Sequence, residues 1–196
     1  IGEGAMSHVY EALCQKTKRR SAVKVLHRSL TIDETNVIRF REEAELMQRL
    51  EHKHIVKCYG MGQDGETYYL AMEFVEGPTL EKWSKGKAME SREVLVFAQQ
   101  IALALDHLDD MGVLHRDIKP QNIMCTQEGV IKIADFGIAL DESRDNRLTQ
   151  EGIAVGSVIY SSPMQLSGVP DSRGDMYSLG CTLFQLLTAK LPFGVN

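Results

Sequence analysis

Lys24 lies in the run Ala22-Val23-Lys24-Val25-Leu26, with apolar residues on both sides. An ammonium embedded in such a strand needs a counter-charge or an anionic ligand, because burying an unpaired charge is costly. Glu43 poses the matching problem. Val37, Phe40, Ala44 and Met47 recur at helical spacing, and Glu43 falls on or beside their stripe. Read on its helix alone, Glu43 is an edge glutamate that bends out to water. Read with Lys24, the two anomalies cancel as an ion pair, and the pair could then hold a phosphate.

A second group of polar residues lies further along the chain. Asp117 stands between His115-Arg116 and Lys119, in a short stretch after a long helical pattern. Loops held by rigid elements are where catalytic groups tend to sit. Asn122 and Asp135 flank a hairpin pattern. If Glu128-Gly129 is a two-residue turn, Gln127 faces Val130, Met124 faces Ile133, and Asn122 faces Asp135. Both offer oxygen ligands suited to magnesium. Singly, Asn122 could cap a turn and Asp135 end a strand; their coincidence with Asp117 favours a site. Gly2-Glu3-Gly4 precedes a β-like run, where glycines let backbone N–H groups approach phosphate oxygens. Two glycines at that spacing also make an ordinary turn.

The elements that must position these groups follow from pattern. Ser21 to His27 alternates as a strand. Thr31 to Leu50 reads as a helix, opened by a capping box of Thr31 and Glu34. His54 to Phe74 reads as two strands joined at Asp64-Gly65, and Gly77-Pro78 as a hinge. Ser91 to Met111 reads as a helix with Val94, Ala98, Ile101, Leu105 and Leu108 on one stripe, ended by Gly112. Asn122 to Ala134 reads as the hairpin. Gly137 to Ser172 is polar and too long for a simple connection, which favours a functional segment. Met176 to Thr188 reads as a helix that is apolar nearly all round, so a helix covered on every side. The chain is strand-rich to about Glu76 and helix-rich after it.

Composition narrows the classes. The 196 residues are 43% hydrophobic and 25% charged, with 22 basic and 27 acidic residues and a net charge of −5. That excludes disordered, collagen-like and coiled-coil chains. A pI near 5.7 argues against general nucleic-acid binding. No apolar stretch approaches the roughly 20 residues of a membrane span, and the first residues carry no secretory pattern. Cys14, Cys58, Cys125 and Cys181 form no close pair, as expected for reduced thiols in a cytoplasmic protein. His52 and His54 find no nearby third ligand, and the basic run Lys16 to Arg20 reads as a solvated turn.

Taken together, the motifs resemble those of eukaryotic-type protein kinases. HRDIKPQN, His115 to Asn122, followed by DFG, Asp135 to Gly137, is similar to the family's catalytic and metal motifs. AVK at Ala22 to Lys24 resembles its ATP-anchoring strand, and IGEGAMSHVY its glycine-rich loop. The thirteen residues from Asn122 to Asp135, and the nine from Glu43 to His52, fit the same pattern. VYEA, MEFVEG and LTQEGIAVGS point to the bacterial serine/threonine branch.

The resemblance implies an α+β, two-lobed fold. A small β-rich N-lobe with one main helix would span 1–76, and a larger helical C-lobe, incomplete here, 77–196. It implies γ-phosphate transfer from Mg-ATP to serine or threonine hydroxyls of protein substrates, with Asp117 as base and Lys119 steadying the transferred phosphate. Lys24 would contact the α- and β-phosphates and pair with Glu43. Asn122 and Asp135 would bind magnesium. The ATP-binding residues would be Ile1, Gly2, Glu3, Gly4, Ala5, Met6, Ser7, Val9, Ala22, Lys24, Met72, Glu73, Val75 and Met124. Cys58, Met47, His115 and Phe136 would stack in the active form. Arg116 would bind a phosphorylated residue, expected at Thr149, with Glu151 supplying part of that charge permanently. Ser157 would shape the peptide groove. Homodimerisation for autophosphorylation and a membrane anchor outside this segment stay open.

Two departures stand out. Ser7 replaces the third loop glycine, and Met164 replaces a glutamate that normally pairs with a distant arginine. The chain stops at LPFGVN, where family members continue, so a fragment with an exposed, aggregation-prone apolar face is expected. Two rival readings remain: a pseudokinase scaffold that binds nucleotide without turnover, kept open by Met164, and a small-molecule kinase of related fold.

Overall fold

The computed structural model describes residues 1–3, 7–136, 158–169 and 171–193, with only the backbone of Glu3. The chain divides into two compact units, Ile1–His52 with Val56–Val75, and Lys53–Ile55 with Glu76–Asn196.

The first unit is a five-stranded antiparallel sheet with one long helix. Its strands are β1 (Gly2–Glu3), β2 (Ser7–Leu13), β3 (Arg20–Leu26), β4 (Cys58–Asp64) and β5 (Thr67–Glu73). They lie in the order β1-β2-β3-β5-β4. Val9 faces Lys24 across β2 and β3, Lys24 faces Leu70 across β3 and β5, and Ala22 faces Met72. Side chains two apart share a face of a strand, so Val9, Ala22, Lys24, Leu70 and Met72 share one face of the sheet.

Helix α1 runs from Glu34 to Arg49, not from Thr31. Thr31 donates its hydroxyl to the Arg28 carbonyl at 2.9 Å, in a 3-10 turn over Arg28–Leu30. The cap is Asp33, whose carboxylate accepts the Thr35 N–H at 2.9 Å. Val37, Phe40, Ala44 and Met47 are buried together with Glu43, so α1 packs its expected stripe.

The second unit holds α2 (Leu80–Ser84), α3 (Ser91–Asp110), a 3-10 turn (Pro120–Asn122), β6 (Ile123–Cys125), β7 (Ile131–Ile133), α4 (Pro163–Leu166) and α5 (Ser172–Thr188). Helix α3 buries Val94, Phe97, Ile101, Ala104, Leu105 and Leu108. It packs on α5 and β7. Phe97 and Ala104 complete the stripe, while Ala98 is only half-buried.

The hairpin register differs from expectation by one residue. Ile123 faces Ile133, Met124 faces Lys132, and Cys125 faces Ile131. The connection is a three-residue loop rather than a two-residue turn. Thr126 N–H donates to the Val130 carbonyl at 2.9 Å, and Gly129 N–H to the Thr126 carbonyl at 3.0 Å. Gly129 closes this loop at φ 78°, a left-handed position that glycine adopts without strain. Asn122 therefore sits opposite Ala134, whose N–H donates to its carbonyl at 2.9 Å, and Asp135 lies one residue past the pair.

Helix α5 starts four residues before Met176. Asp171 caps it by accepting the Arg173 N–H at 3.0 Å. Its buried face is formed by Asp175, Ser178, Leu179, Cys181, Thr182 and Leu186. Met176, Phe184 and Leu187 are exposed, so the helix is not enclosed on all sides by the described residues. Among those residues, no helix is long and apolar enough to cross a membrane.

Candidate active site

In the first unit, β3 and α1 bring Lys24 and Glu43 together. Lys24 Nζ donates to Glu43 Oε1 at 2.7 Å, with the two side chains 13% and 5% exposed. An ammonium and a carboxylate this buried persist because each neutralises the other. The strand register explains why Lys24 points to the helix: it alternates with Val23 and Val25, which take the opposite face.

Val9, Ala22 and Met72 lie on the Lys24 face; Ala22 and Met72 are buried and Val9 is half-buried. Glu73 accepts the Lys57 N–H with its carboxylate at 3.1 Å and donates its own N–H to the Lys57 carbonyl at 2.8 Å. Val75 is buried. At the start of the chain, Gly2 faces Val9 and Glu3 faces His8, Ile1 is exposed, and Ser7 is buried. Gly4, Ala5 and Met6 lie outside the described residues, as do Gly137, Thr149, Glu151 and Ser157.

In the second unit, a short loop follows α3 and gathers Asp117, Lys119 and Asn122. Lys119 Nζ lies 2.7 Å from Asp117 Oδ2. Asn122 Nδ2 donates to the same Oδ2 at 2.7 Å and to the Asp117 carbonyl at 2.9 Å. Burial pushes the Asp117 carboxyl above its ordinary value, against the opposing pull of Lys119 and Asn122.

The floor of this loop is built by His115 from the HRDIKPQN motif and by Asp175 and Gln165 from outside it. His115 is fully buried and donates Nε2–H to the Ala134 carbonyl at 3.1 Å, while its Nδ1 accepts the Asp117 N–H at 3.3 Å. The ring is thus held as one tautomer. Its burial lowers the pKa to about 4. Its ring centre lies 4.7 Å from that of Phe136, so two of the four side chains expected to stack do meet.

Asp175 of α5 accepts both the His115 N–H and the Arg116 N–H, each at 2.7 Å. Gln165, within α4, donates Nε2–H to the Arg116 carbonyl at 2.7 Å. Neither Asp175 nor Gln165 was expected from the sequence. Asp175 carried a usable signal, since a carboxylate beside an apolar helix poses the question already asked of Glu43. Asp175 lies one residue before Met176, where the apolar pattern of the helix begins.

Two backbone positions of the site carry strain. Arg116 has φ 67° and Asp135 φ 57°, left-handed conformations unusual for residues with a Cβ. Such positions cost on the order of 1–3 kcal/mol and persist where the surroundings over-determine them. Asp175 and Gln165 supply that restraint on both sides of Arg116.

The donor set suits a hard divalent cation. Asn122 commits its amide nitrogen to Asp117, which leaves its amide oxygen as the ligand atom, and Asp135 offers an exposed carboxylate. Among the described residues no three His, Cys, Asp or Glu side chains converge on an ion, so magnesium here would take one amide, one carboxylate, water and phosphate oxygens.

Comparison with known proteins places this geometry in a family. The family model described as protein kinase domain matches residues 1–196. A probable serine/threonine-protein kinase of Clostridium acetobutylicum is 42% identical, covering 100% of this chain and 30% of its own length. The serine/threonine-protein kinase PrkC of Bacillus subtilis is 38% identical, over 98% of this chain and again 30% of its own length. The chain thus spans about a third of these relatives. The crystal structure of the Mycobacterium tuberculosis PknI kinase domain matches with a TM-score of 0.78 at 29% identity, covering 99% of this chain and 72% of that one.

Proposed function

Because the chain belongs to the protein kinase family, of the bacterial serine/threonine type, we propose that it transfers the γ-phosphate of Mg-ATP to serine or threonine hydroxyls of protein substrates. The observation that carries this reading is the Asp117 carboxylate, held at 2.7 Å by both Lys119 and Asn122 in one loop. A carboxylate so fixed can accept a proton from an approaching hydroxyl, and a positioned base is worth roughly 10²–10⁴-fold in rate.

The other roles follow from charge. Lys24, locked to Glu43, presents an ammonium for the α- and β-phosphates. Lys119 lies beside the base, where it can meet the transferred phosphate. Asn122 and Asp135 would hold magnesium, which when bound neutralises charge on the phosphates. Val9, Ala22, Met72 and Met124 supply apolar surface for the adenine, and the backbone of Glu73 and Val75 its hydrogen bonds. Backbone N–H groups of residues 1–7 would cover the phosphates. Arg116 would meet a phosphate on Thr149, with Glu151 supplying a weaker permanent charge and Ser157 shaping the peptide groove.

The test is γ-phosphate transfer to a generic basic protein, beside a panel of small alcohols, for wild type and Asp117→Asn. Transfer to protein hydroxyls that drops at least 100-fold in Asp117→Asn supports the proposal. Transfer to alcohols alone would make it a small-molecule kinase. Nucleotide binding with no transfer in wild type would make it a scaffold.

A further inference from the structure

We propose that Gln100 of α3 is a positioning residue for the magnesium site, acting through the backbone of the hairpin that carries Asn122 and Asp135. The inference rests on the reading that those two residues hold the ion. Gln100 donates Nε2–H to the Gly129 carbonyl at 2.9 Å, and its Oε1 accepts the Ile131 N–H at 3.0 Å. One side-chain amide thus bridges two backbone groups, one on either side of Val130. Helix α3 aims it there: Gln100 stands three residues after Phe97 and four before Ala104, both buried. A polar side chain on that packed face needs partners, and the hairpin supplies them.

The hairpin needs such a restraint because β7 is buried and its outward backbone groups must be met. The Ile131 carbonyl accepts from His54 Nδ1 at 3.0 Å, and the Ile133 N–H donates to the His54 carbonyl at 2.9 Å. The Ile131 N–H falls to Gln100. Outward-facing groups alternate along a strand, so this N–H meets Gln100 only in the observed register. A slip by one residue would give the two-residue turn that the sequence also allows, with Asn122 opposite Asp135.

In the observed register Asn122 pairs with Ala134, and Asp135 stands one residue beyond at φ 57°. The clamp on Gly129 and Ile131 therefore fixes, from the closed end of the hairpin, the stagger of the two ligands at its open end. Burial of Ile131 and Ile133 favours the same register; Gln100 adds a restraint on the loop itself. Magnesium asks for near-octahedral geometry at about 2.0–2.1 Å, so its binding is sensitive to that stagger.

The experiment follows Mn²⁺ binding by paramagnetic resonance to the protein in complex with a non-hydrolysable ATP analogue. Calorimetry gives nucleotide affinity without metal, and melting temperature is recorded for each variant. In Gln100→Met, which removes donor and acceptor, the Mn²⁺ dissociation constant should rise about 5-fold or more, with metal-free nucleotide affinity changed by less than about 2-fold. Gln100→Glu keeps an acceptor for Ile131 and loses the donor to Gly129. Its loss should lie between wild type and Gln100→Met, and it decides the matter if Gln100→Met does not fold. Val94→Ala, which opens a cavity beside the same helix, should lower the melting temperature and leave Mn²⁺ binding as in wild type. An equal loss of Mn²⁺ binding in Val94→Ala would reduce Gln100 to a stabilising role and overturn the proposal. Mn²⁺ affinity unchanged in Asp135→Asn would sink the magnesium assignment beneath it. Binding lost in Asp135→Asn but equal to wild type in both Gln100 variants would overturn this inference alone.

Discussion

The Asp175 carboxylate accepts the Arg116 N–H at 2.7 Å, and Arg116 carries φ 67°. One buried acid thus holds the strained residue beside Asp117, while its second oxygen takes the His115 N–H. Burial raises the Asp175 carboxyl above its ordinary value, against the pull of those two N–H groups. Asp175→Asn keeps one acceptor and turns an amide N–H toward the other backbone donor. An orphaned buried N–H costs about 1–3 kcal/mol. The expected outcome is a lower urea midpoint and a 10-fold or greater loss of kcat with little change in the Michaelis constant for ATP. Equal loss of ATP binding would show that Asp175 does more than shape this loop.

His115 gives the second unit an acid-sensitive support. Its folded pKa, about 4, lies below the unfolded value near 6.5 because burial disfavours the imidazolium. A depressed pKa means the neutral form is favoured on folding. The contribution is fully present above pH 6.5 and drains away as pH falls toward 4, by about 3 kcal/mol. Asp117 and Asp175, with raised values, change in the opposite sense as they protonate. The contrast between wild type and His115→Phe therefore isolates the histidine. Urea unfolding at pH 7 and pH 4.5 should show the wild type losing more stability than the variant.

The base itself should report its surroundings. Asp117 titrates above its ordinary value through burial, and Lys119 pulls it back down. Activity should fail on the acid side as Asp117 takes up its proton. Lys119→Met removes the opposing charge, so the acid limb of the kcat/KM profile should move to higher pH. A limb that stays in place, with only the plateau lowered, would show that Lys119 acts on phosphate alone.

The parts of the site legible in sequence were those set by charge out of place. Lys24 among valines and Glu43 on an apolar stripe each demanded a partner, and the 2.7 Å contact is that partner. Helix interiors were legible from their spacing, but starts were not. Asp33 and Asp171 cap α1 and α5, whereas Thr31 spends its hydroxyl on a preceding turn. The hairpin register depended on one loop residue. Glu128-Gly129 is compatible with a two-residue turn or the end of a three-residue loop, and the pairing of Ile123 with Ile133 settles it as the latter. Gln165 gave no local sign, because its partner is a backbone carbonyl 49 residues away.

The Lys24–Glu43 pair makes a prediction about stability that is separate from catalysis. Removing one member leaves the other charged and nearly dry, at a cost of about 3–5 kcal/mol. Lys24→Met alone and Glu43→Leu alone should both be strongly destabilised. The double variant removes both charges and should recover most of the loss, while remaining inactive. A double variant no more stable than the worse single would show that the ion pair is a net stabiliser.

Gly77 tests how tightly the second unit closes at its start. A Cβ built there would sit 1.8 Å from the Cys125 carbonyl oxygen and 2.7 Å from its carbon. Both are backbone atoms of β6, whose Cys125 N–H also donates to the Pro78 carbonyl at 2.9 Å. A rotamer change cannot relieve a backbone clash, so segment 77–79 must lift off β6. That breaks the Pro78 bond and the bridge between Thr79 and Met124. Gly77→Ala should therefore cost about 2–4 kcal/mol, far more than the gain of under 1 kcal/mol from stiffening the unfolded chain. Faster amide exchange at Cys125 should accompany it. A melting temperature equal to wild type would show that the segment can shift freely, and Met124 with it.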